Sequence, residues 1–329
     1  MGKIYNITKP TLFMGNMRLV LKWAVNLILI GLIFFLAFTA YNLYRDNFGD
    51  VQNLNIIYNS DSQNLTGVPN ELSQFEPNMR FNHNNLTYFI ESACSENKQS
   101  KMLEAFSEIT MLTEIISFTE SSNPDSADIL VGCSKDSYQT EENTFVAGEG
   151  GPTKFLNLSF YPIILKGKIL LYNEHECSQP ITELHELLHV FGFEHLNKTS
   201  SIMYPYINCE QEIDNEIIDF LKRLYSIPPK AELYFENLSA SKKGAYLNFN
   251  LEIRNEGLID SENVTLVLSG DGFKIDSFDL ENIELGAGKT FFVENQKLPS
   301  RNINNIKFTI ISPTAEYHLG NNEVELSVA

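Results

Sequence analysis

Hydrophobic and polar positions along the chain fall into three regimes. Residues 23–44 carry no charge, and Leu-Ile-Leu-Ile-Gly-Leu-Ile-Phe-Phe-Leu-Ala-Phe fills their centre. As an α-helix this stretch extends about 33 Å, enough to cross the hydrocarbon layer of a bilayer. Between about 80 and 228 the apolar spacing alternates between strand and helix. It predicts strands at 86–90, 116–119, 127–132 and 168–173. Helices are predicted at 101–116, with apolar positions 102, 103, 106, 109, 112 and 116, over the stretch after Pro180, with a stripe of Leu184, Leu188 and Phe191, and at 212–225. Beyond Pro228-Pro229, which no helix can continue through, short alternating runs such as 245–253 and 264–268 are separated by Asn-Glu-Gly and Gly-Ala-Gly turns. The fold class expected is α+β in three parts. A transmembrane helix at 23–44 follows a cytoplasmic N-terminus at 1–22. A stalk at 45–80, rich in Asn, Ser, Gln and Pro with one strand at 54–58, leads to a mixed helix-and-sheet domain at 81–228. An all-β sandwich occupies 229–329.

Charge gives the apolar segment a direction. Lys3, Lys9, Arg18 and Lys22 precede it with no acid among them, whereas Arg45 is met at once by Asp46 and Asp50. The positive-inside rule then places the N-terminus in the cytoplasm and the remainder outside, as a single-pass protein of the cell membrane. A cleavable signal peptide is the rival reading, but its apolar core is shorter and ends in small residues, where this chain has Phe38-Thr39-Ala40. A formal net charge of −18 over 329 residues argues against a nucleic-acid partner. The four cysteines, Cys94, Cys133, Cys177 and Cys209, all follow the apolar segment and read as two disulfides in an oxidising compartment, with three connectivities open.

The chemistry is concentrated in His-Glu-Leu-Leu-His-Val-Phe-Gly-Phe-Glu-His, residues 185–195. On a helix, His185 and His189 lie one turn apart on one face, at a separation that one Zn²⁺ can bridge. His195 would point to the far side of a continuing helix, so the helix has to end first. Gly192 can end it, because glycine adopts the left-handed conformation without steric cost. Three neutral nitrogens leave one tetrahedral position for water, which is the arrangement of a catalytic site. Glu186, beside the first ligand, is placed to act as general base in attack on a carbonyl.

This motif, with Ser-Ile-Met-Tyr-Pro at 201–205, resembles the metzincin zinc endopeptidases, and within them the matrixins. The resemblance spans roughly residues 80–227. It implies that His185, His189 and His195 hold zinc, that Glu186 is the base for peptide hydrolysis, and that Met203 forms an apolar floor under the metal. It also implies that Pro205, Tyr206 and Ile207 wall the pocket for the residue after the cut, and that residues 144–153 form the edge strand that pairs with a substrate. Ile207 stands where the family commonly has tyrosine. With no cysteine before Cys94, latency by a cysteine that caps the metal is not expected. The pairing favoured is Cys94 with Cys133 and Cys177 with Cys209, the second tying the approach to the zinc helix to the segment after Met203. The turns at 254–257 and 285–289 and the close at 320–326 resemble prokaryotic immunoglobulin-like domains related to cell adhesion. Two functions from different classes follow. One is a membrane-anchored, outward-facing zinc endopeptidase with peptide or protein substrates. The other is a surface adhesion protein whose metzincin module is structural and whose C-terminal domain binds a partner. A thermolysin-like site is disfavoured because it needs a glutamate ligand in the place of His195.

Overall fold

The structure is a computed structural model, and it describes residues 13–48, 51–58, 72–135, 146–172 and 177–328. In chain order its elements are α1 (Phe13–Phe48), β1 (Val51–Tyr58), β2 (Arg80–Phe81), β3 (Asn85–Ile90), α2 (Glu96–Thr113), β4 (Ser117–Glu120), β5 (Ile129–Cys133), β6 (Gly148–Leu156), β7 (Ile163–Leu171), α3 (Ile181–Val190) and α4 (Asn215–Tyr225). They continue with β8 (Leu233–Lys243), β9 (Tyr246–Asn255), β10 (Ser261–Gly270), β11 (Phe273–Ile283), β12 (Gly288–Lys297), β13 (Asn305–Ile311) and β14 (Glu323–Val328). Within α1 the stretch Leu21–Tyr44 has a mean hydropathy of 2.3 and is 0% buried against the rest of the chain, so it is long and apolar enough to cross a membrane.

The first sheet runs β2-β7-β5-β3-β4 with parallel pairing, and β6 lies antiparallel along β7. Among the described residues β6 pairs with β7 alone, which makes it an edge strand. Its first part covers 148–153 of the expected edge; 144 and 145 lie outside the described residues. The core is built from Leu86, Ile129, Val131 and Ile169 of the sheet, Met102, Phe106 and Ile109 of α2, and Leu187 and Leu188 of α3.

Element ends differ from the sequence expectation for local reasons. α2 begins five residues earlier, where the Ser95 side chain accepts the Lys98 N–H as an N-cap, and it stops at Glu114, whose φ of 61° is left-handed. β7 reaches back to Ile163, because Lys166-Gly167-Lys168 interrupts an apolar run that is one strand. Glu212 does not open α4. It bridges to Ser201 instead, and the helix starts after Asp214.

The C-terminal β-rich region is one eight-stranded sheet in the order β11-β10-β13-β14-β1-β8-β9-β12, folded so that Phe249 of β9 meets Phe308 of β13 at 4.8 Å. Its fifth strand, β1, comes from the segment read as a stalk. β1 pairs antiparallel with β14 (Leu54↔Val328) and with β8 (Val51↔Lys243), and Leu54 is buried in the shared core. Alternation in Val-Gln-Asn-Leu-Asn-Ile announces a strand, but nothing local says which sheet receives it. The region also packs on the core of the first sheet, through Leu258, Leu285 and Tyr317, and the Tyr317 hydroxyl donates to the Pro228 carbonyl at 2.8 Å.

Cys94 is bonded to Cys133 and Cys177 to Cys209. The second bridge closes a loop of 32 residues that contains α3, all three histidines and Met203. Replacing Cys177 and Cys209 together by serine is expected to lower unfolding free energy by about 3–4 kcal/mol in the chain-entropy account of loop closure. Denaturant titration of the zinc-loaded chain measures it.

Candidate metal centre

α3 is buried on every side, from Ile181 to Val190, although it carries two histidines and two glutamates. Helical spacing puts His185 and His189 on one face. Gly192, at φ 89°, turns the chain where a Cβ would lie 2.9 Å from Met79 Sδ. His195 then returns to the same point. The three Nε2 atoms stand 3.0 Å (His185–His189) and 3.2 Å (each to His195) apart.

The donor set fits a metal ion. Bonds of 2.0–2.1 Å at tetrahedral angles separate three ligand nitrogens by about 3.4 Å, close to the spacing here. Nδ1 of His185 donates to the Ile202 carbonyl at 2.6 Å, and Nδ1 of His189 to the Phe193 carbonyl at 2.7 Å. A carbonyl can only accept, so each bond fixes the tautomer and leaves Nε2 bare toward the centre. Burial, together with the neighbouring imidazoles, holds His185 and His189 down to about 4, which keeps them neutral as ligands must be. Burial also lowers His195. Among the described residues this is the one cluster of histidine, cysteine or carboxylate side chains arranged for an ion.

Glu186 is 5% exposed. Burial first, then the charges of Glu149 and Glu183, push its carboxyl up to about 8, against a hydrogen bond from the Gly150 N–H. A divalent cation beside it acts in the opposite direction. The edge strand β6 thus rests directly on α3 at this residue. A Cβ at Gly150 would lie 2.1 Å from the Glu186 carbonyl oxygen, and one at Gly148 would lie 2.7 Å from its Cγ.

Met203 is fully buried, and its carbonyl accepts the Leu196 N–H at 2.9 Å, so the turn and the third histidine share a backbone bond. Its own N–H is held by Ser201 Oγ at 3.0 Å. Ser201 in turn bonds Asp214, the N-cap residue of α4, which Lys198 approaches at 2.5 Å. Pro205, Tyr206 and Ile207 are exposed on the loop that follows, and Gln211 holds the Tyr206 carbonyl at 2.9 Å. A cavity of about 700 Å³ opens on an adjacent face, among Ile181, Leu184, Ile202, Gln211, Ile218 and Leu112. It touches the residues that carry the site but none of the three ligands.

Three contributors had no signal in the sequence. Asp214 was hidden inside a segment read as helix. Gln74 and Phe75 lay in the supposed stalk, yet the Phe75 N–H donates to the Gly192 carbonyl at 2.8 Å and the Phe75 ring stacks on His189 at 6.1 Å with planes 13° apart. The Gln74 amide donates to the carbonyls of Phe191 (3.0 Å) and Met79 (3.2 Å).

A helix that supplies two imidazoles and a carboxylate, closed by a third histidine and an apolar methionine turn, is an arrangement able to hold one metal ion. Residues 80–226 match the family model described as Matrixin, of the M10 peptidases, a zinc-dependent family. Karilysin of Tannerella forsythia is 26% identical over 242 residues, which are 64% of this chain and 48% of karilysin, so the chain spans about half the length of that curated relative. Among solved structures, archaemetzincin of Methanopyrus kandleri covers 44% of this chain and 97% of its own, with 11% identity and a TM-score of 0.29. A domain of a putative cell surface protein of Methanosarcina acetivorans covers 30% of this chain and 92% of its own, with 16% identity and a TM-score of 0.25.

The contact of β6 with α3 is tested by two neighbouring glycines. Gly150→Ala has to displace strand or helix and is expected to cost about 1–3 kcal/mol, whereas Gly151→Ala, with nothing within 4 Å, is expected to stay within about 0.5 kcal/mol of the parent in thermal or denaturant unfolding.

The histidines set a pH dependence. Their folded pKa of about 4 lies below the ordinary 6.5, so the unfolded chain takes up protons first as pH falls. Their contribution to the stability of the metal-free chain is therefore expected to be fully present above about pH 6.5, to decline as pH falls toward 4, and to lose no more below that, while Glu186, raised to about 8, acts in the opposite sense as pH rises from about 4.5. The difference in urea midpoint between the parent and His185→Gln, measured across this window, isolates the histidine contribution and checks its sign.

Proposed function

We propose that the chain is a membrane-anchored zinc endopeptidase that faces away from the cytoplasm. The observation that carries the peptidase reading is the convergence of three bare Nε2 atoms within 3.2 Å, beside a buried carboxylate on the same helix. His185, His189 and His195 would hold a zinc ion, which when bound would supply Lewis acidity and lower the pKa of a water. Glu186 takes the proton of the attacking water and passes it to the leaving amine. The Gly150 N–H orients that carboxylate, and it comes from the strand that, among the described residues, is paired on one side only and offers its other side to an extended peptide. Met203 closes the floor, and Pro205, Tyr206 and Ile207 border the side of the cleft that takes the residue after the cut. They offer no charge, which favours an apolar side chain there.

The anchor is α1. Its basic, acid-free flank on the N-terminal side supports a cytoplasmic N-terminus. We read the matrixin-like domain as 81–228 and the region after it as an immunoglobulin-like sandwich that contributes no catalytic group.

Glu186→Gln in the full chain is expected to retain about one zinc per chain and to lose about 10²–10⁴-fold in peptide hydrolysis, since general-base catalysis contributes that much. His195→Ala should weaken zinc binding itself. Metal analysis and a peptide digest read both, and undiminished hydrolysis in Glu186→Gln would sink the mechanism.

A further inference from the structure

The eight-stranded sheet has two unlike ends, and the antiparallel register fixes which residues lie at each. One end collects Leu233, Asn255, Gly288 and Glu323, and it abuts the catalytic region, where Ala231 pairs with Glu316 and Gly286 meets Leu156. The other end collects Val51, paired with Lys243, and Gly270, paired with Phe273 and Ile306. α1 arrives at this second end. β1 begins three residues after α1 stops, α1 touches β8, and an Arg301 Nη2 donates to Asn42 Oδ1, inside the apolar stretch, at 3.5 Å.

The surface at that end has its own chemistry. Phe273, which opens β11 just after the Asp271-Gly272 turn, is 77% exposed, the highest value among the exposed large apolar residues of the chain's described part. Lys274 is exposed beside it, and Lys243 and Arg301 are half-buried. The Lys242 ammonium braces the loop from below, donating to the carbonyls of Arg301 (2.6 Å) and Ile303 (2.8 Å). The turn's acid, Asp271, accepts the Asn305 N–H at 3.0 Å. An exposed aromatic ring beside Lys243, Lys274 and Arg301, at the end of the sheet where the apolar helix arrives and where Asp46 and Asp50 also lie in the sequence, has the composition of a surface that meets lipid headgroups.

We propose that this end of the sheet, with Lys243, Phe273, Lys274 and Arg301, is a membrane-contact surface. It rests on the anionic headgroups of the bilayer that α1 crosses, with Phe273 entering the interface. The proposal rests on the reading of α1 as an uncleaved anchor. β8 runs from Lys243 at this surface to Leu233 at the catalytic side, 11 residues. At about 3.3 Å per residue the sheet holds the metal centre some tens of ångströms from the lipid.

All four cysteines are bonded, so an introduced cysteine is a unique free thiol. The full chain is labelled with an environment-sensitive fluorophore at Phe273→Cys, Asn302→Cys or Leu319→Cys, the last being 69% exposed and at the catalytic end. Each is reconstituted in phosphatidylcholine vesicles with and without phosphatidylglycerol. Probes at 273 and 302 are expected to shift to the blue and to be quenched by headgroup-level nitroxide lipids severalfold more than the probe at 319, and more strongly with phosphatidylglycerol. Combining Lys243→Glu, Lys274→Glu and Arg301→Glu should bring quenching at 302 toward that at 319. Equal quenching at all three positions, in a chain that resists alkaline carbonate extraction, would overturn the contact surface while leaving the anchor. A blue shift that follows protein density rather than lipid composition assigns the patch to a second copy and also overturns it. Release of the chain by carbonate defeats the anchor reading, and the surface with it.

Discussion

Three uncharged imidazole nitrogens brought to 3.0–3.2 Å of one another repel, because their lone pairs converge. Only a cation turns that repulsion into attraction, and the surroundings force the nitrogens together in advance. The carbonyls of Ile202 and Phe193 fix two rings, and each carbonyl belongs to a segment held elsewhere. Ile202 sits on the turn that Ser201 and Asp214 tie to α4, and Phe193 forms a bridge with Gln74. Preorganisation of this kind lowers the ordering cost that metal binding otherwise has to meet.

The domain is closed by a second charge. Arg80 is fully buried, stacks 4.6 Å above the Tyr225 ring, and donates to carbonyls at Leu224 and Ile227 rather than to a carboxylate. These carbonyls end α4, where the helix dipole is negative, and a cation is stabilised there. Burial still lowers its pKa. The contact joins the first residue of the matrixin-like segment to its last helix, so β2 and α4 are held together.

The metal site was legible because its information is short-range. Two histidines at four residues, a glycine and a third histidine specify a helix, its end and a return within eleven positions, whatever the rest of the chain does. Cys177 and Cys209 bracket the same segment, and that proximity made their pairing readable. The 72–79 segment and β1 are different. Phe75 reaches His189 across more than a hundred residues, and Val51–Tyr58 finds β14 from the far end of the chain. Such contacts leave no periodicity, because any alternating strand could satisfy them. Polar composition then made 45–80 read as a stalk. The edge strand expected at 144–153 gave no reason for its glycines, and only the position of α3 beneath Gly148 and Gly150 supplies one for those two.

The placement of β1 changes what a proteolytic cut can do. The matrixin-like region is inserted between two parts of one sheet, entered after Tyr58 and left at Pro228-Pro229. A single cleavage between 59 and 71 breaks the covalent path from α1 to α3 yet detaches nothing. β1 stays hydrogen-bonded between β14 and β8, with Leu54 in their core. Separating the region that holds the three histidines from α1 requires either a cut ahead of Val51 or withdrawal of a strand from the middle of the sheet. A nicked chain is therefore expected to run as two fragments under denaturation and as one particle without it.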